Sequence, residues 1–283
     1  MSRVEKKAED KAKKKKGGAL YALVMFILMG VMVFAGINLW EIYNNYNEGT
    51  EAYVDFANVA GAGDVIDVVE DRTYLKINWE ALRAINNDLV AWIRLPGTVI
   101  NYPIVKGSDN SYYLTHLLND EYSIKGTIFV DYRDPAPMEH FLTICYGHRM
   151  KDWSMFGLLG DYFSSHGPDD FYEQHPVWQL YTPRGTFDLE IFAAAEVDSA
   201  DESVYKLYFE DESEKQAYID WLLTHNELQG YDGRVDVGPN DEILMMSTCT
   251  LRGSDVDDNR LVVWGKMVYV EDPNGLNVVE GGN

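Results

Sequence analysis

Cysteine is scarce in this chain: 283 residues hold two, Cys145 and Cys249. Two cannot build a disulfide framework, and joined to each other they would leave no thiol for chemistry. Their surroundings differ. Cys145 lies inside the apolar run Phe141 to Tyr146, the setting of a small inert hydrophobe. Cys249 stands in Ser247-Thr248-Cys249-Thr250, just past an apolar strand, where a side chain can be held and still be partly exposed. The reading is two free thiols, one inert and one reactive. Cations are scarce beyond the first 16 residues. Removing the eight basic and three acidic residues found there from totals of 24 and 46 leaves 16 Lys and Arg against 43 Asp and Glu. That excludes nucleic-acid binding, which needs clustered cations on phosphates. Histidine is limited to six residues, none at a metal-ligand spacing from a cysteine, which argues against a zinc site. The loop Asp255-Val256-Asp257-Asp258-Asn259 imitates the start of a calcium loop. Arg260 then stands where glycine belongs and Lys266 where the closing glutamate belongs, so an EF-hand is rejected.

What the chain does have begins with an uncharged run of 24 residues, Gly17 to Trp40. At about 1.5 Å per residue it is long enough to cross a hydrocarbon core of roughly 30 Å. It exceeds the apolar core of a cleaved signal peptide, and no clear small-x-small site follows it, so an uncleaved anchor is expected. The basic residues at Arg3, Lys6, Lys7, Lys11 and Lys13 to Lys16 predict a cytoplasmic N-terminus and a domain outside. The expected organisation is a basic tail over 1–16, a membrane anchor over 17–40, an extracellular stalk over 41–75, one catalytic domain over 76–272, and a tail over 273–283.

Within that domain the pattern is mostly β. Strand-like runs with turn punctuation cover Thr98 to Val105, Gly126 to Tyr132, Phe141 to Tyr146, Val177 to Tyr181, Phe187 to Ala195, Ile243 to Ser247 and Leu261 to Val270. Many short strands predict a barrel or a sandwich. Asn78 can cap a short helix over Trp79 to Ile85. A second helix interrupts the β pattern. Asp211-Glu212-Ser213-Glu214 is a start signal, and Ala217, Tyr218, Trp221, Leu222 and His225 follow at helical spacing.

Three polar groups stand out against these runs. Cys249 supplies a thiol, and Arg260 supplies a guanidinium at the head of Leu261-Val262-Val263-Trp264. His148 follows Tyr146-Gly147, where glycine would let the ring leave the strand line. A nucleophile, a proton donor for a leaving amine and a fixed cation for an oxyanion are what acyl transfer through a thiol requires. Arg252 competes with Arg260, but an arginine entering a strand is held by the sheet whereas one in a polar loop is not. At ordinary pKa values a thiol is about 3% ionised at pH 7 and an imidazole roughly a quarter protonated. The expectation is therefore a slow enzyme or a thiolate stabilised by nearby cations.

With these residues the chain resembles the sortases of Gram-positive cell surfaces, and class B in particular. The resemblance covers roughly residues 75 to 270. It runs through Ile77-Asn78-Trp79-Glu80, Val90-Ala91-Trp92-Ile93, Asn101 to Val105, Asp109 to Leu114, Gly126 to Asp131, Tyr146 to Lys151 and Ser154-Met155-Phe156. The family usually shows Thr-Leu-x-Thr-Cys, and Met246 stands here at the leucine position with nearly conserved volume. The resemblance implies a closed β-barrel with N-terminal helices and a helix inserted between the sixth and seventh strands. It implies that Cys249 attacks the threonyl carbonyl of an NPxTx-type sorting signal, that Arg260 holds the oxyanion and that His148 protonates the departing amine. Ser247 and Thr248 would line the groove, with Tyr112, Tyr113 and Leu114 as further candidates. The partners implied are secreted proteins with a C-terminal sorting signal, and the amine of a peptidoglycan precursor, lipid II, as acceptor. No cofactor is implied. Alternatives are a pilus-polymerising enzyme, a thiol protease that only hydrolyses, and a non-catalytic wall-peptide-binding ectodomain.

Overall fold

The computed structural model describes residues 3–61, 65–69, 72–249 and 258–270, with side chains for 21, 23–61, 72–248 and 258–270. The chain forms two compact units, Met1–Glu48 and Gly49–Asn283.

The first unit is helical. Helix α1 (Arg3–Val59) carries the uncharged run. Its segment Leu23–Val59 has a mean hydropathy of 2.3 over the most apolar window, and none of that window is buried. By length and composition it can cross a membrane. The one amide in the run, Asn38, donates to the Phe34 carbonyl at 2.8 Å, so it presents no unpaired donor of its own on that side.

The second unit starts with the last turns of α1, in the segment that the sequence assigns to a stalk. Helix continues there because Tyr53 and Phe56 find apolar cover, at 4% and 6% exposure. The Tyr53 ring meets Tyr102 edge-on at 4.9 Å, and its hydroxyl donates to the Gly126 carbonyl. Gly126 sits at φ +56, and a Cβ there would lie 2.3 Å from the Tyr113 carbonyl oxygen, so only glycine fits. A small antiparallel pair, β1 (Val65–Val69) and β2 (Arg72–Leu75), follows. Helix α2 (Trp79–Ile85) comes next, with the Asn78 side chain accepting from the Ala81 amide at 3.0 Å as its cap.

The remaining strands are β3 (Leu89–Arg94), β4 (Asn101–Val105), β5 (Ile128–Val130), β6 (Leu142–Tyr146), β7 (Val177–Thr182), β8 (Gly185–Asp198), β9 (Ile243–Cys249) and β10 (Asn259–Tyr269), with the single-turn helix α3 (Phe171–Gln174) before β7 and α4 (Glu212–Thr224) before β9. They close into a barrel in the order β10-β8-β7-β3-β4-β5-β6-β9. Closure satisfies the edges that an open sheet would expose. Trp92, Trp178 and Trp264 are fully buried among its core residues. Pairing is antiparallel except between β4 and β5 and between β6 and β9.

Helix α4 lies between the sixth and seventh barrel strands, where the resemblance puts an inserted helix. Asp211 caps it, accepting from the Glu214 amide at 2.9 Å. Tyr218, Ile219 and Leu222 form its apolar stripe and join a cluster with Phe141, Ile144, Val262 and Trp264. The Tyr218 hydroxyl accepts from Trp264 Nε1 at 3.1 Å and donates to the Val204 carbonyl at 3.0 Å, which fixes helix and barrel in one register.

Candidate active site

Three neighbouring strand ends meet at one rim of the barrel. β6 and β9 run parallel, with Tyr146 opposite Ser247, so Gly147-His148, just past the end of β6, and Thr248-Cys249, the last residues of β9, reach the same rim. The ladder continues past Tyr146: the Gly147 amide donates to the Ser247 carbonyl at 3.2 Å, and Thr248 Oγ1 donates to the Gly147 carbonyl at 2.8 Å. On the other flank of β9, Cys249 is paired with Arg260. The sequence puts Cys249 just outside its strand. In the structure it is the last strand residue, because Arg260 supplies a backbone partner. The Cys249 side chain lies outside the described residues, as does Arg252.

His148 is partly exposed, and its Nε2 donates to the Leu114 carbonyl at 2.7 Å. A carbonyl can only accept, so Nε2 carries hydrogen and Nδ1 is left as the nitrogen for proton exchange. Gly147 has a reason other than the expected unusual backbone, since it is not among the described glycines with positive φ. A Cβ there would lie 2.7 Å from the Phe156 ring. Arg260 Nη1 contacts Asp258 Oδ1 at 2.6 Å, while Asp258 Oδ2 accepts from Ser199 Oγ at 2.7 Å. Cys145, by contrast, is a free and fully buried thiol inside β6. Burial, and then the charge of Asp134, push its pKa well up, which keeps it protonated and unreactive.

A cleft of about 420 Å³ opens at this rim. His148 and Arg260 line it, together with Leu114, Phe129, Arg133, Tyr146, Tyr205, Ser247 and Thr248. Its floor is tied by a polar network around Asp131, whose side chain is fully buried. That carboxylate accepts from Arg133 Nε at 2.9 Å and Nη2 at 2.8 Å, from the Tyr146 hydroxyl at 3.0 Å, and from Asn110 Nδ2 at 3.1 Å. Burial alone would push the Asp131 carboxyl up, but these hydrogen bonds outweigh it and hold the group below the usual carboxylate range.

Comparison with known proteins matches the Sortase domain family over residues 93–268. Sortase B of Listeria monocytogenes is 32% identical over 247 residues, covering 86% of this chain and 94% of the relative. This chain belongs to the sortase family, class B. Among solved structures, sortase B from B. anthracis in complex with AAEK1 superposes with a TM-score of 0.65 at 28% identity, covering 81% of this chain and all of the other. A Staphylococcus aureus sortase B-substrate complex matches with a TM-score of 0.60 at 32% identity, over 68% of this chain and 85% of the other.

In this class B sortase, Ser247 and Thr248 are almost fully buried on β9, and the Ser247 hydroxyl lies 2.9 Å from the Tyr205 hydroxyl. Leu114 borders the cleft and receives the His148 hydrogen bond. Tyr112 and Tyr113 are not among the described cleft-lining residues. Tyr112 stacks on His116 at 4.0 Å, whereas Tyr113 is buried and donates to Asp88 at 2.7 Å. Sequence reading missed Arg133, Asp131 and Tyr205. An Asp-x-Arg pair at a strand exit, Asp131-Tyr132-Arg133, is the signal that could have exposed the first two. Among the described residues, no cluster of His, Cys, Asp or Glu is arranged to hold a metal ion.

Proposed function

We propose that this sortase cleaves a C-terminal sorting signal of NPxTx type after the threonine and transfers the protein to an amine of a peptidoglycan precursor, lipid II. The observation that carries the reading is the strand register that brings His148, Cys249 and Arg260 to adjoining strand ends beside one cleft. Cys249, as thiolate, adds to the threonyl carbonyl. Arg260 and nearby backbone amides stabilise the oxyanion, which is charge that develops only in the transition state. As the C–N bond breaks, the departing amine takes a proton from His148 Nδ1, leaving a thioacyl-enzyme. The acceptor amine then adds to the thioester and returns its proton to Nδ1, and the thiolate leaves. Leu114 keeps the ring in the orientation this exchange needs. Ser247 and Thr248 form the groove wall, and residues 17–40 anchor the enzyme with its N-terminus in the cytoplasm and the barrel outside.

Mass spectrometry of products from a panel of sorting peptides, with and without an added amine, tests the reading. The expected outcome is a thioacyl adduct on Cys249 and an amide product that appears only with the amine. Hydrolysis alone under saturating amine would make the chain a thiol protease.

A further inference from the structure

The chain as a whole carries a formal charge of −22, yet among the described lining residues of the cleft there is no carboxylate. Among those described residues the charged groups are two guanidiniums, Arg133 and Arg260, with the His148 imidazole also in the lining. Arg260 belongs to the chemistry already described, but Arg133 does not.

Arg133 is unusually well held for a residue whose side chain is 48% exposed. Its Nε and Nη2 form a two-point fork on the buried Asp131, and its own amide donates to Asp131 Oδ1 at 3.0 Å. Its carbonyl accepts from the Tyr208 hydroxyl at 3.2 Å. Asp131 is fixed in turn by Tyr146 and Asn110, so the guanidinium is tied by one edge to an anchored carboxylate. Among the described residues no acceptor engages Nη1, and the edge that carries it is turned away from Asp131 on a residue lining the cleft. A fixed guanidinium edge with open donors, in a cleft whose described lining residues include no carboxylate, is a carboxylate site.

Register tells which part of a peptide it would meet. β5 runs antiparallel to β6, with Phe129 opposite Tyr146 and Val130 opposite Cys145, and the Asp131 amide then donates to the Ile144 carbonyl at 3.0 Å. From Phe129 to Asp131 the chain therefore moves back along β6, away from His148. The departing amine must lie at His148. The end of the cleft toward Arg133 is thus left for the acyl side of the peptide, upstream of the scissile threonine.

We infer that Arg133 is a specificity residue that binds an acidic side chain of the sorting signal on the N-terminal side of the scissile threonine. The inference rests on the function proposed above and adds a charge preference to it.

The test compares kcat/KM for peptide pairs carrying Glu or Gln at one position, scanned upstream of the threonine at fixed ionic strength, for wild type, Arg133→Gln and Arg133→Lys. One position should favour Glu by about five- to tenfold in the wild type, the size of an ordinary net hydrogen bond, because water partly screens the half-exposed guanidinium. The ratio should fall to about one in Arg133→Gln and lie between in Arg133→Lys. A purely structural role would change rates on both peptides of a pair and leave their ratio alone. No Glu preference at any position in an active wild type, or a preference that survives Arg133→Gln, overturns the inference. Should the Gln variant fail to fold in circular dichroism, the Lys variant decides: a reduced ratio supports the inference and an unchanged one overturns it. Glycine against glycinamide as acceptor forms a separate arm. If Arg133→Gln alters that comparison and not the peptide ratio, the carboxylate belongs to the acceptor and the acyl-side assignment is wrong. A wild type that forms no thioacyl-enzyme with any peptide removes the function reading, and this inference falls with it.

Discussion

Gly147→Ala is a one-methyl change with a cost that can be worked from contacts. The new Cβ would lie 2.7, 3.0 and 3.2 Å from three atoms of the Phe156 ring, closer than carbon atoms tolerate. Neither side can yield easily. The Gly147 amide and carbonyl are both held by β9, through Ser247 and Thr248, and the Phe156 ring is fully buried and edge-on to Trp178 at 6.4 Å. Overpacking of this kind costs about 1–3 kcal/mol. For a domain of this size that is a fall in Tm of about 2–12 °C, at about 2–4 °C per kcal/mol. The strain falls on the residue before His148, so kcat should drop as well, by up to about a hundredfold if the ring is displaced by a full ångström. Thermal unfolding by circular dichroism and steady-state kinetics on a sorting peptide measure both. Phe156→Leu should restore much of the loss when combined with Gly147→Ala, giving a coupling energy above about 0.5 kcal/mol in a double-mutant cycle. Strictly additive effects, or a Gly147→Ala protein as stable and active as the wild type, would refute the steric account of this glycine.

Cys249→Ala should abolish the thioacyl adduct, whereas Cys145→Ala should retain it and lose only stability, as a modest core truncation does; mass spectrometry and urea unfolding separate the two, and loss of the adduct in a folded Cys145→Ala protein would reverse the thiol assignment. Arg260→Ala should reduce kcat by about a hundredfold or more with little change in KM, Arg260→Lys should recover part of that, and Arg252→Ala should be nearly silent; an Arg252 variant more damaged than the Arg260 variant would overturn the choice of arginine. Asp131 has a depressed carboxyl pKa in the folded protein, so its ionised form adds stability above the unfolded value of about 4, and that contribution is lost as pH falls through the folded value. The stability gap between wild type and Asp131→Asn, read by urea unfolding, should be full at pH 7 and shrink below about pH 4; a gap that does not change with pH would contradict this.

Elements with a one-dimensional signature were legible. Helix α4 shows both its cap and its apolar stripe in sequence, and α2 begins at the residue after Asn78 as the capping rule requires. β3 escaped. Leu89-Val90-Ala91-Trp92-Ile93-Arg94 is mostly buried between β4 and β7, so it has no inside-outside alternation to read. β8 is longer than its apolar run suggested, because it pairs with β10 from Phe187 to Asp198 and its first two residues pair with β7. At the site, strand-end position and residue type pointed to His148, Cys249 and Arg260. The Asp131-Arg133 pair is local and went unread, and the rest of the network did not show because only the barrel brings Asn110 and Tyr146 to that carboxylate. The role of Gly147 was misread for the same reason, since its constraint is a ring nine residues along the chain.

The parallel pairing of β6 with β9 has a consequence for when the enzyme becomes reactive. Leu142 is opposite Ile243, so this contact closes a loop of roughly a hundred residues that includes β7, β8 and α4. Such non-local pairings form late and slowly, because loop entropy is lost before any contact rewards it. During synthesis the imidazole emerges long before the thiol, and the guanidinium comes last. Under the proposed chemistry, no partly made or partly folded chain can hold all three groups together. Barrel closure thereby does for this enzyme what removal of a propeptide does for a zymogen: it is the event that assembles the site.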